Sequence, residues 1–190
     1  MERPSTSALL IETMSACLQE HGYRSTSTTQ ILTKSGVARA SLYFHFAGGK
    51  EALAAAAVAA SGCGISGWIT AEFAAGPSAA SVAGRLVDGF AAILATSQYT
   101  KGCPVALSAL EAGENEPLLR AAVQAVYADW QQVISDGLVA DGLDADSAAR
   151  LAQLALIQIE GALLLARVTK SLEPLMATKA AIIAAIGGAL

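Results

Sequence analysis

Residues 22–53 contain two short helical patterns joined by a tight turn, and this pairing restricts the fold more than any other feature. Ser27 supplies a capping hydroxyl three residues before Gln30, which is the spacing of a capping box. Gly36 is expected to end the first helix, because glycine readily adopts the left-handed conformation of helix ends. A second helix is predicted over residues 38–44. This arrangement is typical of a helix-turn-helix, whose second helix enters the DNA major groove.

Helical patterns with capping signals also cover the rest of the chain, and no convincing strand pattern is present. The first helix is expected to begin at Ser5, Thr6 or Ser7. After the helix-turn-helix, six more are predicted, from about residue 50 and over about 78–97, 105–112, 117–139, 144–169 and from 174 onward. The helix that starts near residue 50 is expected to weaken at its glycines, Gly62, Gly64 and Gly67. The sequence thus predicts an all-α protein of about nine helices, which a hydrophobic content of 54% suits.

Charge is distributed unevenly between the two ends of the chain, whose formal net charge is −4. Residues 1–60 carry five Lys/Arg and four Asp/Glu, whereas residues 61–190 carry seven and twelve. The acidic part would be repelled by DNA phosphates, so DNA contact is expected to be confined to the N-terminal part. Affinity is then expected to depend on two such parts acting together.

The polar residues of the helix-turn-helix indicate how it would contact DNA. Arg39 can make a bidentate contact to guanine, and Ala40 can pack on a thymine methyl group. The start of the first helix offers N–H groups and hydroxyls to phosphates. The residues predicted at phosphates are Ser27, Thr28, Thr29, Ser41, Tyr43, His45 and Lys50. The alternative is an ordinary helical hairpin, but the run Tyr43-Phe44-His45-Phe46 would be unusual on a plain solvent face.

The last two helices are apolar around most of their circumference, whereas a surface helix needs only one apolar stripe. Such a pair is expected to be buried on two sides. The same pair from a second subunit would supply the second side, forming a four-helix dimer interface. The alternative is a central helix pair within a monomer. The residues predicted at the dimer interface are Leu154, Gln158, Ile159, Leu163, Ile183 and Ile186.

Other chemical motifs are weak, and no catalytic residue, metal or cofactor is predicted. The segment 62–67 matches G-x-G-x-x-G, but it follows a helix rather than the strand that a dinucleotide site requires. Cys17 and His21 are four residues apart, yet zinc needs at least three protein ligands. Asp141, Asp144 and Asp146 lack calcium-loop spacing and suit turns and caps.

Cysteine usage and hydropathy indicate the cellular compartment in which the protein is expected. The three cysteines are widely spaced and no signal peptide is evident, so we expect a reduced, cytoplasmic chain. The uncharged stretch from Leu53 to Ala71 is nearly long enough to span a bilayer. It consists mostly of Ala, Gly and Ser and lacks basic flanks, so no membrane span is predicted.

Residues 22–53 closely resemble the DNA-binding domain of TetR/AcrR-family transcriptional regulators. The family pattern combines a glycine-aromatic pair, a capped helix, Gly-Val, a helix ending in Leu-Tyr-x-His-Phe, and Lys-Glu-x-Leu. Here these are Gly22-Tyr23, Ser27, Gly36-Val37, Leu42-Tyr43-Phe44-His45-Phe46 and Lys50-Glu51-Ala52-Leu53. Gly48-Gly49, Gly102-Cys103-Pro104 and Ala109-Leu110-Glu111 resemble the subgroup of LmrA- and YxaF-type regulators. The resemblance implies a DNA-binding domain at residues 1–50 and a helical ligand-binding and dimerisation domain at 51–190.

By this resemblance Thr28, Ser41, Tyr43, His45 and Lys50 would contact the DNA backbone, and Thr29, Arg39 and Ala40 would approach bases. Two departures from the family pattern matter. The gap before Lys50 is one residue longer than usual, which places the reach of the lysine in doubt. Residue 29 is a threonine where some relatives have an arginine, so Arg39 is the main candidate for reading bases.

The resemblance also implies an effector pocket enclosed by the fourth to eighth helices. The predicted wall residues are Trp68, Phe73, Phe90, Leu94, Leu107, Glu111, Tyr127, Trp130 and Gln131. Core packing is the alternative for each of them. Glu111, Gln158 and Glu160 would contact ligand, cap backbone or pair across the dimer. Basic residues are outnumbered by acids here, so a small hydrophobic effector is favoured over a nucleotide.

These inferences predict a homodimeric transcriptional regulator, not an enzyme. It would bind a palindromic double-stranded DNA operator, most simply as a repressor, and a small hydrophobic effector would release it. A helical enzyme or carrier whose helix-turn-helix is vestigial would instead turn over or bind a small molecule, and it would have no sequence-specific DNA affinity. A constitutive DNA-binding protein would bind the operator whether or not its pocket is filled.

Overall fold

The computed structural model describes residues 4–189, which form nine α-helices and no β-strand. The helices are α1 (Thr6–His21), α2 (Thr28–Ser35), α3 (Arg39–His45), α4 (Gly49–Ala75), α5 (Ala79–Thr96), α6 (Pro104–Glu111), α7 (Pro117–Ala140), α8 (Ala145–Thr169) and α9 (Glu173–Gly187). The predicted all-α fold and its number of helices are confirmed.

Capping side chains define the start of several helices, as the sequence pattern predicts. The hydroxyl oxygens of Ser5, Ser27 and Ser78 each accept a backbone N–H three residues ahead, at 3.1–3.3 Å. The Asp144 carboxylate caps α8 in the same way, accepting the Ser147 N–H at 3.0 Å. Each cap satisfies an N–H that the helix itself leaves without a partner. At the other end of α2, Gly36 adopts the left-handed conformation, with a φ of 68°.

Helix α4 continues without a break through its glycines to Ala75. Gly62 packs closely on the Val126 side chain, leaving no room there for a Cβ. The sites of Gly64 and Gly67 are open. Alanine is the best helix former, and the alanines around the glycines compensate for the roughly 1 kcal/mol that each glycine costs. The helix therefore does not end at these glycines, and its weakening there stays a prediction.

The described chain divides into two compact units that do not follow the chain order. The first contains the residues up to Cys63 together with Cys103–Val126, and the second contains Gly64–Gly102 together with the residues from Tyr127 onward. Helices α4 and α7 therefore contribute to both units. The predicted domain boundary at residue 50 stays a prediction, and residues 1–3 and 190 of those ranges lie outside the described part.

The core of the first unit is built from α1 to α4 with α6 and the start of α7. Leu10, Met14 and Leu18 of α1 are fully buried. Ile31 of α2 and Leu42 of α3 are fully buried as well. Because α2 and α3 each bury a single large side chain, their remaining residues are at least partly exposed to solvent or a partner.

The second unit places α5 against α8 and α9. Its core is aliphatic and includes Val82 and Leu86 of α5, Leu138 of α7 and Ile182 of α9. The start of α5 is fixed by Asp141, whose carboxylate accepts the Ala79 N–H at 2.8 Å. Asp141 and Asp144 thus act as the turn and cap residues that their spacing suggests.

Candidate nucleic-acid interface

Helix α3 presents an unusually exposed set of polar and aromatic side chains. Arg39, Ala40, Tyr43 and His45 are exposed, while Leu42 is fully buried in the first unit. Ser41 is half-buried on the same helix. The amphipathic pattern therefore leaves one face of a seven-residue helix open to a partner.

Phe44 is the most exposed large apolar side chain of this helix and was not among the predicted contacts. It is 84% exposed and its ring lies edge-on to that of His45, with centroids 5.1 Å apart. Its exposure on the same short helix as Arg39 and Tyr43 makes it a further candidate contact. Its place in the run Tyr43-Phe44-His45-Phe46 was the available signal in the sequence.

The amino terminus of α2 carries the three hydroxyl residues that were predicted to meet phosphates. The Ser27 oxygen accepts the Gln30 N–H at 3.1 Å, which leaves its O–H free to donate elsewhere. Thr28 is half-buried and Thr29 is exposed. Three hydroxyls at the positive end of a helix form a suitable contact for an anion.

Gly49 and Lys50 fix the start of α4 against two tyrosines. Gly49 has a φ of 63°, and a Cβ built on it would lie 3.2 Å from Cε1 of Tyr43, so the ring packs directly on the backbone. The Lys50 ammonium lies over the ring of Tyr23, with Nζ 4.1 Å from the ring centroid. Lys50 is half-buried, so the side chain predicted to meet a phosphate lies against protein in this structure.

Burial governs the ionisation of Lys50 and Tyr23. Burial lowers the pKa of Lys50 below its ordinary value of 10.5, and the negative charges of Glu111 and Glu116 partly oppose that shift. Burial also raises the pKa of Tyr23, to which the charges of Glu116 and Glu51 add. Lys50 and Tyr23 therefore share one partly desolvated environment that contains carboxylates.

The loop before α2 is held by the last residue of α6. The Glu111 carboxylate accepts the backbone N–H of Arg24 at 2.8 Å, and a Cβ on Gly22 would lie 2.9 Å from both carboxylate oxygens. The Arg24 guanidinium reaches the backbone oxygen of Glu111 at 3.5 Å. Glu111 was predicted to line an effector pocket. Its carboxylate instead binds the loop before α2 within the first unit.

The other predicted pocket residues are distributed over several clusters. Trp68 and Phe90 form an edge-to-face pair with centroids 5.2 Å apart, and Trp68 donates its indole N–H to Glu72 at 3.2 Å. Tyr127 and Trp130 form a second pair at 5.6 Å. The Tyr127 hydroxyl donates to Glu160 at 3.4 Å. Leu94 is buried, and Leu107 and Gln131 are half-buried. Leu107, like Glu111, belongs to the first unit.

The second unit contains a small apolar cavity of about 70 Å³. Phe73, alone among the predicted pocket residues, lines it. Four residues that were predicted at the dimer interface also line it, namely Leu154, Gln158, Ile159 and Ile186. The other lining residues are Ala79, Ala83, Leu86, Ile134, Leu138, Leu151, Ala155, Ile182 and Ala185. Its chemistry suits a hydrocarbon group better than a charged one.

Helices α8 and α9 present an apolar surface to solvent. Ile157 and Val168 of α8 are 61% and 73% exposed. An open groove of about 480 Å³ lies on this surface, lined by Ile157, Gln158, Gly161, Ala162, Leu165, Pro174, Ala177, Thr178 and Ala181. Of the predicted interface residues, Leu154 and Gln158 are exposed, Ile159, Leu163 and Ile183 are half-buried, and Ile186 is buried.

The described helices are rich in apolar residues and poor in clustered metal ligands. Among residues 4–189, no group of three or more His, Cys, Asp and Glu side chains is placed to hold a metal ion. Three described helices, Gly49–Ala75, Ala79–Thr96 and Ala145–Thr169, are long and apolar enough to cross a membrane by length and composition alone. Most of the apolar surface of Ala145–Thr169 is exposed within the subunit, and this exposure requires an explanation.

Comparison with known proteins identifies the class. Residues 10–57 match the family described as bacterial regulatory proteins, tetR family. Residues 79–190 match the C-terminal domain described as transcriptional regulator LmrA/YxaF-like. The chain is a member of the TetR family of transcriptional regulators, with a C-terminal domain of the LmrA/YxaF type. The resemblance stated from residues 22–53 is confirmed, and with it the DNA-binding character of the helix-turn-helix.

Relatives and solved structures agree with this assignment. The HTH-type transcriptional regulator Rv0196 of Mycobacterium tuberculosis (strain ATCC 25618 / H37Rv) is 33% identical over 179 residues, which are 92% of this chain and 87% of that protein. LmrA of Bacillus subtilis (strain 168) is 30% identical over 162 residues, covering 83% of this chain and 84% of LmrA. The crystal structure of a TetR transcriptional regulator from Legionella pneumophila has the same fold, with a TM-score of 0.81 and 23% identity over 96% of this chain and 97% of that one.

Proposed function

We propose that this regulator is a homodimeric repressor that binds a palindromic operator and leaves it when a small hydrophobic effector binds. The observation that carries the proposal is the exposure of Arg39, Ala40, Tyr43 and His45 on α3, which is anchored by the buried Leu42. A short helix with one buried anchor and an exposed arginine at its start suits insertion into a major groove.

Within this interface, base contacts are assigned to Arg39, Ala40 and Thr29. The Arg39 guanidinium would bind guanine in a bidentate manner, as Arg commonly does. Thr28, Ser41, Tyr43, His45 and the free O–H of Ser27 would donate to phosphates. Phe44 joins the set because of its exposure. Lys50 is left out because its ammonium lies over Tyr23.

The dimer is proposed to form through α8 and α9. The exposed apolar residues of α8 and the open groove between α8 and α9 would be covered by the same surface of a second subunit. Leu154, Gln158, Ile159, Leu163, Ile183 and Ile186 were predicted there, and Ile157, Leu165 and Val168 belong with them because of their exposure. Burial in a dimer would also account for the apolar length of α8 without a membrane, and we propose a cytoplasmic location.

The effector is proposed to enter the apolar cavity of the second unit. At about 70 Å³ the cavity is smaller than the roughly 300–1,000 Å³ of typical ligand sites. Binding would therefore have to widen it, moving α8 and α9 where Gln158, Ile159 and Ile182 line it. An effector that prefers this wider form lowers operator affinity by the ratio of its affinities for the two forms. A 100-fold decrease needs about 3 kcal/mol of coupling.

Selection from a pool of randomised duplexes tests the proposal. The wild-type protein should enrich a palindrome whose half-sites lie about one helical turn apart, roughly 34–36 Å. Arg39→Ala should cost about 1–3 kcal/mol and relax base preference at one position in each half-site. Arg120→Ala, which removes an equal charge from an exposed site on α7, is the matched control. Absence of any enriched sequence, or unchanged specificity in Arg39→Ala, would contradict the proposed function.

A further inference from the structure

Lys50 occupies a site where a helix by itself disfavours a positive charge. It is in the first turn of α4, which begins at Gly49, and the amino-terminal end of a helix carries a partial positive charge. Neighbouring side chains compensate for this unfavourable interaction between the ammonium and the helix end. Its Nζ lies 4.1 Å from the centre of the Tyr23 ring, and the charges of Glu111 and Glu116 favour the ammonium form.

Tyr23 is a firm support for this contact, because it is only 8% exposed. It lies in the loop between α1 and α2, next to Gly22 and Arg24, which are held by Glu111. The ammonium of Lys50 therefore connects the start of α4 to the loop that leads into α2. Because the contact is partly buried, it is worth more than an exposed cation–aromatic pair.

The residues on either side of Lys50 extend this connection. Gly49 packs against the ring of Tyr43 on α3, and the Glu51 carboxylate accepts the Leu118 N–H at 2.7 Å. Three consecutive residues thus attach the first turn of α4 to three different parts of the first unit. A shift of this turn would move the Gly49 backbone on which Tyr43 rests.

We propose that Lys50 is a positioning residue for DNA binding: it holds the start of α4 on Tyr23, thereby fixes Tyr43 of α3, and makes no contact with DNA phosphate. This inference rests on the proposed DNA-binding function. It replaces the predicted phosphate contact, because reaching a phosphate would require the ammonium to leave both the ring and the nearby carboxylates.

The salt dependence of operator binding distinguishes a lysine that positions α4 from a lysine that contacts a phosphate. A lysine that neutralises a phosphate contributes about 0.9 to the slope of log affinity against log salt, or about 1.8 for two subunits. A positioning lysine contributes nothing to the slope, although its loss weakens binding. The measurement uses the full-length protein and the duplex that the wild type selects. The variants are Lys50→Met, which keeps the aliphatic stem, and Lys101→Gln as a charge control outside the first unit.

We expect Lys50→Met to bind about 3- to 10-fold more weakly with the wild-type slope, in line with the strength of a partly buried cation–aromatic contact. Tyr23→Leu should weaken binding to the same extent, and the double variant should weaken it no further, whereas Tyr23→Phe should bind normally. A slope lower by about 1.8 in Lys50→Met, unchanged affinity, or additive losses in the double variant would each overturn the proposal.

A measurement without DNA keeps the test independent of folding problems and of the proposed function. In the free protein, the Lys50 Hε protons should show an upfield ring-current shift in the NMR spectrum. Tyr23→Phe should keep the shift and Tyr23→Leu should abolish it. Absence of the shift in the wild type overturns the inference even if the operator is bound. If Arg39→Ala retains full specificity while the Lys50 shift is present, the proposed reading of the operator by α3 fails. The contact between Lys50 and Tyr23 then still stands.

Discussion

The carboxylate of Glu51 lies at the amino-terminal end of α7, where its Oε1 accepts the backbone N–H of Leu118 at 2.7 Å. The same oxygen lies 3.4 Å from the Leu119 nitrogen. Glu51 is 67 residues away from Leu118 in the chain, so a side chain of α4 caps the start of α7. The negative charge also favours the positive end of the helix.

Glu51→Ala should lower the free energy of unfolding by about 1 kcal/mol, the usual cost of losing a helix cap. Urea denaturation followed by circular dichroism would measure it. Glu51→Gln retains an acceptor oxygen and should lose only part of this stability. Equal losses in the two variants would mean that charge, rather than the hydrogen bond to Leu118, is responsible.

Glycine at residue 89 is required by the aromatic ring that packs on it. A Cβ there would overlap the Trp68 ring, whereas Gly67 of α4 has open space around its Cα. Gly89→Ala should therefore destabilise the protein by about 1–3 kcal/mol through overpacking. Gly67→Ala should stabilise it by roughly 0.5–1 kcal/mol, because alanine is the better helix former. Thermal melting of both variants tests the pair, and a stabilised Gly89→Ala would show that Trp68 moves freely.

Much of the fold follows from local signals in the sequence. Ser27, Gly36 and Asp144 mark helix ends through their own chemistry, so the ends that they define could be predicted. The contact of Lys50 with Tyr23 and the cap from Glu51 join residues far apart in the chain, and no local pattern encodes them. The same applies to the cavity, whose walls come from five helices.

The proposed dimer surface illustrates the limit of helical patterns. Ile183 is in an apolar helix and is half-buried, because its Cδ1 would lie 3.6 Å from a Cβ at Gly84 of α5 and so packs within its own chain. Ile157 looks equivalent in the sequence, yet it is 61% exposed. When both sides of a helix are apolar, periodicity does not reveal which side packs within the subunit.

A charge at Ile157 should therefore disrupt the dimer without unfolding the subunit. Ile157→Glu should shift the sedimenting species from dimer to monomer, because the carboxylate would be buried without a partner in the interface. Gln124→Glu, at an exposed site on α7, is the control of equal charge. A species that remains dimeric while keeping its helical circular dichroism would mean that the subunits associate elsewhere.

The carboxylate of Glu72 gives the protein a component of acid sensitivity. The hydrogen bond from Arg85 lowers the pKa of Glu72 below its ordinary 4.5; partial burial opposes this shift, and the Trp68 N–H adds to it. A depressed pKa in the folded state gives stability that is present above the unfolded pKa and is lost as pH falls through the folded value. The melting temperature of the wild type should exceed that of Glu72→Gln at neutral pH, and the difference should shrink below about pH 4.5. Glu114→Gln, at an exposed site, serves as the control, and a difference that is independent of pH would exclude this linkage.

Filling the cavity should separate effector response from operator binding. Ala155 of α8 lines the cavity, and Ala155→Val adds two methyl groups to it. Ala149→Val adds the same groups at an exposed site of the same helix and controls for the lower helix propensity of valine. Xenon under pressure is a suitable probe, because apolar cavities stay dry and take up such atoms. The wild type and Ala149→Val should shift the xenon NMR resonance, whereas Ala155→Val should not, and all three should bind the selected operator equally.

Apolar compounds that release the wild type from the operator should fail to release Ala155→Val. If they release it as readily, the effector binds at another site, and the aromatic pairs of Trp68 with Phe90 and of Tyr127 with Trp130 become the next positions to substitute.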